Sequence, residues 1–124
     1  MRTVVRNGAV LDTSTMSFND ATVVIEDGLI VAVGDEDTDS ADISIDAAGG
    51  YVLPGLIDGH AHFRLASFDF RALVEWSEVE YGIVMAGLAR ATVERGFTTV
   101  RDLGGDVTGL MRAIRSGNTL GPRI

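Results

Sequence analysis

Leu53-Pro54-Gly55-Leu56-Ile57-Asp58-Gly59-His60-Ala61-His62-Phe63, residues 53–63, holds both histidines of the chain, one residue apart at the end of an apolar run. In an extended strand side chains alternate, so Asp58, His60 and His62 share one face while Gly59, Ala61 and Phe63 take the other. Imidazoles two residues apart are separated by about 7 Å of backbone, at ~3.3 Å per residue, and converge on one ion if the strand twists at its end. The spacing alone is equally compatible with a surface strand end carrying two solvated histidines. With no cysteine in the chain, a transition metal would have to be held by nitrogen and oxygen.

The residues before this stretch read as short strands separated by turns. Thr3 to Arg6 is rich in β-branched residues, Asn7-Gly8 predicts a tight turn, and Ala9-Val10-Leu11 resumes the strand. Thr22 to Glu26 and Leu29 to Val33, joined by Asp27-Gly28, predict a β-hairpin. Ile43-Ser44-Ile45-Asp46 alternates as a half-buried strand does, and Ala47-Ala48-Gly49-Gly50 turns the chain into Tyr51-Val52-Leu53.

After Pro54 the pattern changes. Leu56-Ile57 opens a short buried strand, and 78–95 carries apolar residues at Val79, Ile83, Ala86, Leu88, Ala89 and Val93, near helical spacing, before Gly96. A second strand follows over 97–103, Gly104-Gly105 breaks it, and 107–115 predicts a second helix stopped by Gly117. Strand, helix, strand, helix is the order of βαβ units with parallel strands. The expected fold is therefore α/β with a small all-β part, divided into 1–53 and 54–124.

Composition limits the partners. The formal net charge is −8 and all ten basic residues are arginine, a surface that repels nucleic acid and anionic lipid. Asp35 to Asp42 gathers five acids in eight residues and reads as a solvated loop, since a calcium loop needs a different spacing and a closing glutamate. The longest apolar stretch, Tyr81 to Ala91, is interrupted by Gly82, Gly87 and Arg90, so no membrane span is expected. The first six residues turn polar too soon for a signal peptide, which leaves the cytoplasm as the default compartment.

The stretch from Leu53 to His62 resembles the signature of the amidohydrolase superfamily, Pro-Gly-x-x-Asp-x-His-x-His at the end of the first barrel strand, matched at Pro54, Gly55, Asp58, His60 and His62. Residues 96–105, GFTTVRDLGG, are similar to the second barrel strand of the imidazolonepropionase-like and prolidase-like branch, and Gly121-Pro122-Arg123-Ile124 to the approach to the third. The resemblance implies that 1–53 are the amino-terminal strands of a composite β-sandwich and that 54–124 hold the first two βα units of a (β/α)8 TIM barrel. A complete barrel takes about 250 residues, so this part is incomplete.

The same resemblance implies a metal-dependent hydrolase of carbon–nitrogen bonds (amide, cyclic amide or peptide-like) in a small-molecule substrate. It would work through a metal-activated water, with one or two divalent ions, zinc foremost, in the full-length parent. His60 and His62 become metal ligands, and Asp58 supports the strand end or lies behind the ligands. No catalytic residue falls within the chain, because the remaining ligands come from later strands, so the isolated chain is expected to be inactive. The alternative is a non-catalytic truncated paralogue that binds metal weakly or serves in assembly. A homo-oligomer is expected of the full-length form, and exposed sheet edges favour association of the short one.

Two further residues are candidates for substrate contact. Arg64 completes His60-x-His62-x-Arg64, which resembles the dihydroorotase arrangement in which an arginine holds a substrate carboxylate; Leu65-Ala66-Ser67 departs from that family's Glu-Pro-Gly, and a solvated loop charge is the other reading. Asp102 ends the second strand and either points into the site mouth or fixes the Gly104-Gly105 loop or the next helix. Ser67 to Ser77, with Phe68, Phe70 and Trp76, is either a substrate-facing loop or a helix packing face, the latter favoured.

Overall fold

The computed structural model describes residues 1–35 and 40–124, with the side chain of Ala72 excepted. Glu36, Asp37 and Asp39, the centre of the acid-rich run, lie outside the described residues. Contacts divide the chain into two units, Met1–Pro54 and Gly55–Ile124.

The first unit is a sheet built around β1 (Arg2–Asp12). β2 (Ser17–Glu26) pairs with it antiparallel and with β3 (Leu29–Gly34) on its other side. β4 (Ile43–Asp46) and β5 (Tyr51–Val52) both run parallel to β1. Asp27 and Gly28 take φ of 49° and 83°, the two positive values that a type I′ hairpin turn requires, and so close β2 onto β3 as their sequence predicts. At the other end of β2, Asp12 accepts hydrogen bonds from the N–H of Ser14 at 2.8 Å and its hydroxyl at 2.7 Å. These bonds, the hydroxyl's foremost, pull the Asp12 carboxyl down to about 2.

Asn7-Gly8 is not a turn. β1 runs straight through it, and Asn7 (φ 56°) sits in a bulge where the register with β2 shifts between Val5 and Gly8. The bulge is held from later residues: the Asn7 carbonyl accepts the N–H of Gly49 at 2.7 Å and its side-chain amide donates to Asp46 at 3.1 Å. Val4 and Val24 oppose each other in the ladder and are fully buried. Ile43 and Ile45 form the predicted strand but remain exposed, as do Ile30 and Val33. The alternation fixed the strand, while burial needs a layer to cover it.

In the second unit β6 (Leu56–Ala61) and β7 (Phe97–Asp102) are parallel, joined through α1 (Phe70–Glu75) and α2 (Glu78–Glu94), and α3 (Thr108–Arg115) follows β7. An isolated parallel bridge sets Arg123 beside Thr99 of β7. Ser77 caps α2 reciprocally: its hydroxyl accepts the Glu80 N–H and the Glu80 carboxylate accepts the Ser77 N–H. Gly96, with φ 92°, ends the helix and leads into β7.

The core of this unit is Phe63, Met85, Ala89, Val100 and Leu110, with Ala61 packed against it. Helix α2 thus buries Met85 and Ala89, whereas Val79 and Ile83, which the periodicity put on the core side, are exposed. β6 is likewise more exposed than a buried strand, its Ile57 at 73%; among the described residues its only strand partner is β7. Of the three aromatic residues expected to pack, Phe68 and Phe70 are exposed, Trp76 is half-buried with its ring edge-on to Tyr81, and Leu73 is the buried residue among those described in that segment. No helix among the described residues is long and apolar enough to cross a membrane.

Candidate metal centre

The signature stretch forms the strand and the exit from it. Gly55 opens β6 where there is no space for a side chain, because a Cβ would collide with Thr98 of β7. At the carboxyl end Ala61 and Phe63 turn to the core while His60 and His62 turn away from it, as the alternation requires. His60 lies within β6 and His62 just beyond its last residue. Leaving the ladder lets the second ring swing toward the first.

The two Nε2 atoms are 3.1 Å apart, with the rings edge to face at 77° and their centroids separated by 4.9 Å. Two nitrogens bound to one zinc ion at about 2.0–2.1 Å in near-tetrahedral geometry stand about 3.3 Å from each other. The pair therefore has the bite of a chelate; the same separation also suits a hydrogen bond in which one ring donates to the other. Among the described residues no third histidine or carboxylate joins them in a cluster able to hold an ion.

Asp58 faces its own strand: its Oδ1 accepts the backbone N–H of His60 at 2.9 Å, which holds the main chain where the first imidazole projects. Asp102 takes two backbone donors, the N–H of Phe63 on Oδ2 at 2.7 Å and that of Gly104 on Oδ1 at 2.9 Å. Arg64 forms a two-pronged pair with Glu78 and lays its guanidinium 4.2 Å from the centre of the Tyr81 ring. Asp102 and Arg64 are thus engaged within the chain, each with hydrogen-bonding capacity left over.

The sequence offered Asp102 with the fixing of the Gly104-Gly105 loop as one of its readings, but gave no sign that this loop meets a histidine. The structure adds that Gly104 lies beside His62, since a Cβ there would stand 2.5 Å from the His62 Nδ1. Glu78 and Tyr81 were not singled out as partners of Arg64. Glu78 sits in the first turn of a capped helix, where an acid is favoured for the helix dipole alone, so its second use had no local signal. A separate cleft in the first unit, lined by Val10, Val23, Ile30, Val33 and Val52 among others, includes no histidine.

A sequence model of the amidohydrolase family matches residues 51–124. The chain is 34% identical over 122 residues to a 5′-deoxyadenosine deaminase of Methanosarcina mazei, which covers 94% of this chain and 26% of the relative. It is 32% identical over 100 residues to a dihydroorotase of Ruminiclostridium cellulolyticum, 81% of this chain and 21% of the relative. The chain thus spans about a quarter of the length of these curated relatives. Among solved structures, a prolidase complexed with N-methylphosphonate-L-proline matches with a TM-score of 0.90 at 34% identity, over 100% of this chain and 31% of its own. Molinate hydrolase matches with a TM-score of 0.84 at 29% identity, over 99% of this chain and 29% of its own.

Proposed function

Because the chain belongs to the amidohydrolase family, we propose that it is the ion-anchoring part of a metal-dependent hydrolase acting on carbon–nitrogen bonds. Its sheet and its two strand-helix units are the amino-terminal β layer and the first two βα units of that family's (β/α)8 architecture. The observation that carries the reading is the 3.1 Å approach of the His60 and His62 Nε2 atoms at the carboxyl end of β6. Active sites of barrel enzymes lie at that end of the strands.

In this reading His60 and His62 are two ligands of a divalent ion, zinc foremost, and Asp58 sets the backbone from which His60 projects. Such an ion, when bound, lowers the pKa of a water and polarises the carbonyl to be attacked. Two neutral imidazoles leave the site open, since a catalytic zinc takes three protein ligands. The chain by itself therefore binds the ion weakly and turns over no substrate. The substrate class is a small molecule with an amide, cyclic amide or peptide-like bond, and the complete protein acts in the cytoplasm as a homo-oligomer.

The test is titration calorimetry of Zn²⁺ into the chain and into a His60→Ala, His62→Ala double variant at neutral pH. Micromolar binding that the double variant loses is the expected result. Equal binding by both proteins, or none by either, overturns the assignment of the two histidines.

A further inference from the structure

We propose that Asp102 and Gly104, at the carboxyl end of β7, are the positioning element that aims the His62 imidazole at His60; the inference rests on the reading of the two histidines as ion ligands. His62 has left β6, so the ladder no longer holds it. The residues on either side of it are instead tied to the end of the neighbouring strand. The Ala61 carbonyl accepts the N–H of Leu103 at 2.9 Å, and the Phe63 N–H donates to Asp102 at 2.7 Å. Phe63 is itself locked by burial in the core, at 3% exposure.

The ring is then limited from one side. The second oxygen of Asp102 holds the N–H of Gly104 at 2.9 Å, which draws the backbone of the Gly104-Gly105 loop toward the strand end. A Cβ on Gly104 would lie 2.5 Å from the His62 Nδ1 and 3.2 Å from its Cε1, so the Nδ1 edge of the ring rests against that loop. With this edge blocked, the Nε2 edge faces the Nε2 of His60. One carboxylate thus fixes both the backbone that carries the ring and the wall beside it. Gly105 extends the wall: its φ is 83°, and a Cβ there would lie 2.9 Å from the Cβ of Arg64. Asp102 touches neither ion nor substrate in this role.

The test compares the chain with Asp102→Asn, Asp102→Ala and Gly104→Ala, each also made in a His62→Ala background. Gly104 lies outside the left-handed region, so its alanine variant probes the contact with His62 without backbone strain. Zn²⁺ affinity by calorimetry is expected to fall about ten- to a hundredfold in Asp102→Ala and Gly104→Ala, as for other groups that orient ligands, and less in Asp102→Asn. In the His62→Ala background the same changes are expected to cost nothing further. Undiminished affinity in both single variants, or an equal loss in the His62→Ala background, overturns the proposal.

A metal-free readout separates this claim from the metal reading. The nuclear Overhauser contact between the His62 ring Hε1 and the Gly104 Hα is expected in the parent and lost in Asp102→Ala. Its absence from the parent, or its persistence at full strength in the variant, overturns the positioning role whether or not zinc binds. A parent that shows the contact but binds no zinc overturns the metal reading alone. Far-ultraviolet circular dichroism confirms that each variant is folded, and Asp102→Asn and Gly104→Ala carry the test if Asp102→Ala is not.

Discussion

Arg64 grips both carboxylate oxygens of Glu78, Nη1 to Oε2 at 3.1 Å and Nη2 to Oε1 at 2.7 Å. Its guanidinium also covers the Tyr81 ring, and the Tyr81 hydroxyl donates to the Leu73 carbonyl at 2.6 Å. The start of α2 is thereby joined both to the segment just after His62 and to α1. Arg64→Lys removes the fork and the flat stacking surface together. Amide hydrogen exchange over residues 65–76 is expected to speed up in that variant, while exchange in β1 and β2 stays as it was. Unchanged protection over 65–76 would mean that the contact holds nothing in place.

The same pair has a pH dependence of definite sign. The hydrogen bond from Arg64 holds the Glu78 carboxyl below its ordinary value of 4.5. A carboxyl whose folded value is depressed contributes stability that is present above the unfolded value and lost as the pH falls through the folded one. The contribution is small, because the Glu78 side chain is 80% exposed and the pair is screened by salt. A carboxyl-carbon NMR titration is expected to show the Glu78 midpoint rising toward its ordinary value in Arg64→Met. Identical curves in the two proteins would refute the assignment.

Gly55 is required by packing against Thr98 rather than by its own backbone angles. Gly55→Ala is expected to destabilise the second unit by about 1–3 kcal/mol, the usual cost of forcing an extra carbon into a filled site. Adding Thr98→Ala is expected to recover part of the loss in thermal unfolding. A Gly55→Ala melting temperature equal to the parent's would count against the close approach of the two strands.

The reciprocal cap at Ser77 and Glu80 gives α2 a defined start. Ser77→Ala is expected to cost about 1 kcal/mol in urea unfolding followed by the helical signal, whereas Ser77→Asp keeps most of the stability because aspartate also caps well. Equal loss in both variants would place the effect elsewhere than the cap.

Local chemistry was legible wherever one short segment settles the structure by itself. Asp27-Gly28 demands the hairpin turn it makes, and Gly96 ends α2 where a left-handed residue is needed. The alternation through Asp58, His60 and His62 places the two imidazoles on one side whatever surrounds them. Less was legible where a distant segment decides. Asn7-Gly8 has the composition of a turn, yet Asp46 and Gly49, some forty residues on, hold it as a bulge in a continuous strand. Helical spacing marked Val79, Ile83 and Ala89 alike, but the neighbours that α2 packs against bury Ala89, add Met85 and leave Val79 and Ile83 exposed.

The amino-acid order by itself determined the β2–β3 hairpin, the family signature and the pair of histidines at a strand end, because turn chemistry and side-chain alternation act over two to four residues. Only the tertiary structure decided how those histidines stand to each other. Phe63 and Asp102 are 39 residues apart in the chain, and their hydrogen bond, with the Gly104 backbone beside the second ring, exists only once β6 and β7 lie side by side. Contacts made across such a separation leave no periodicity in the sequence, so the aim of His62 becomes visible only when the two strand ends are brought together.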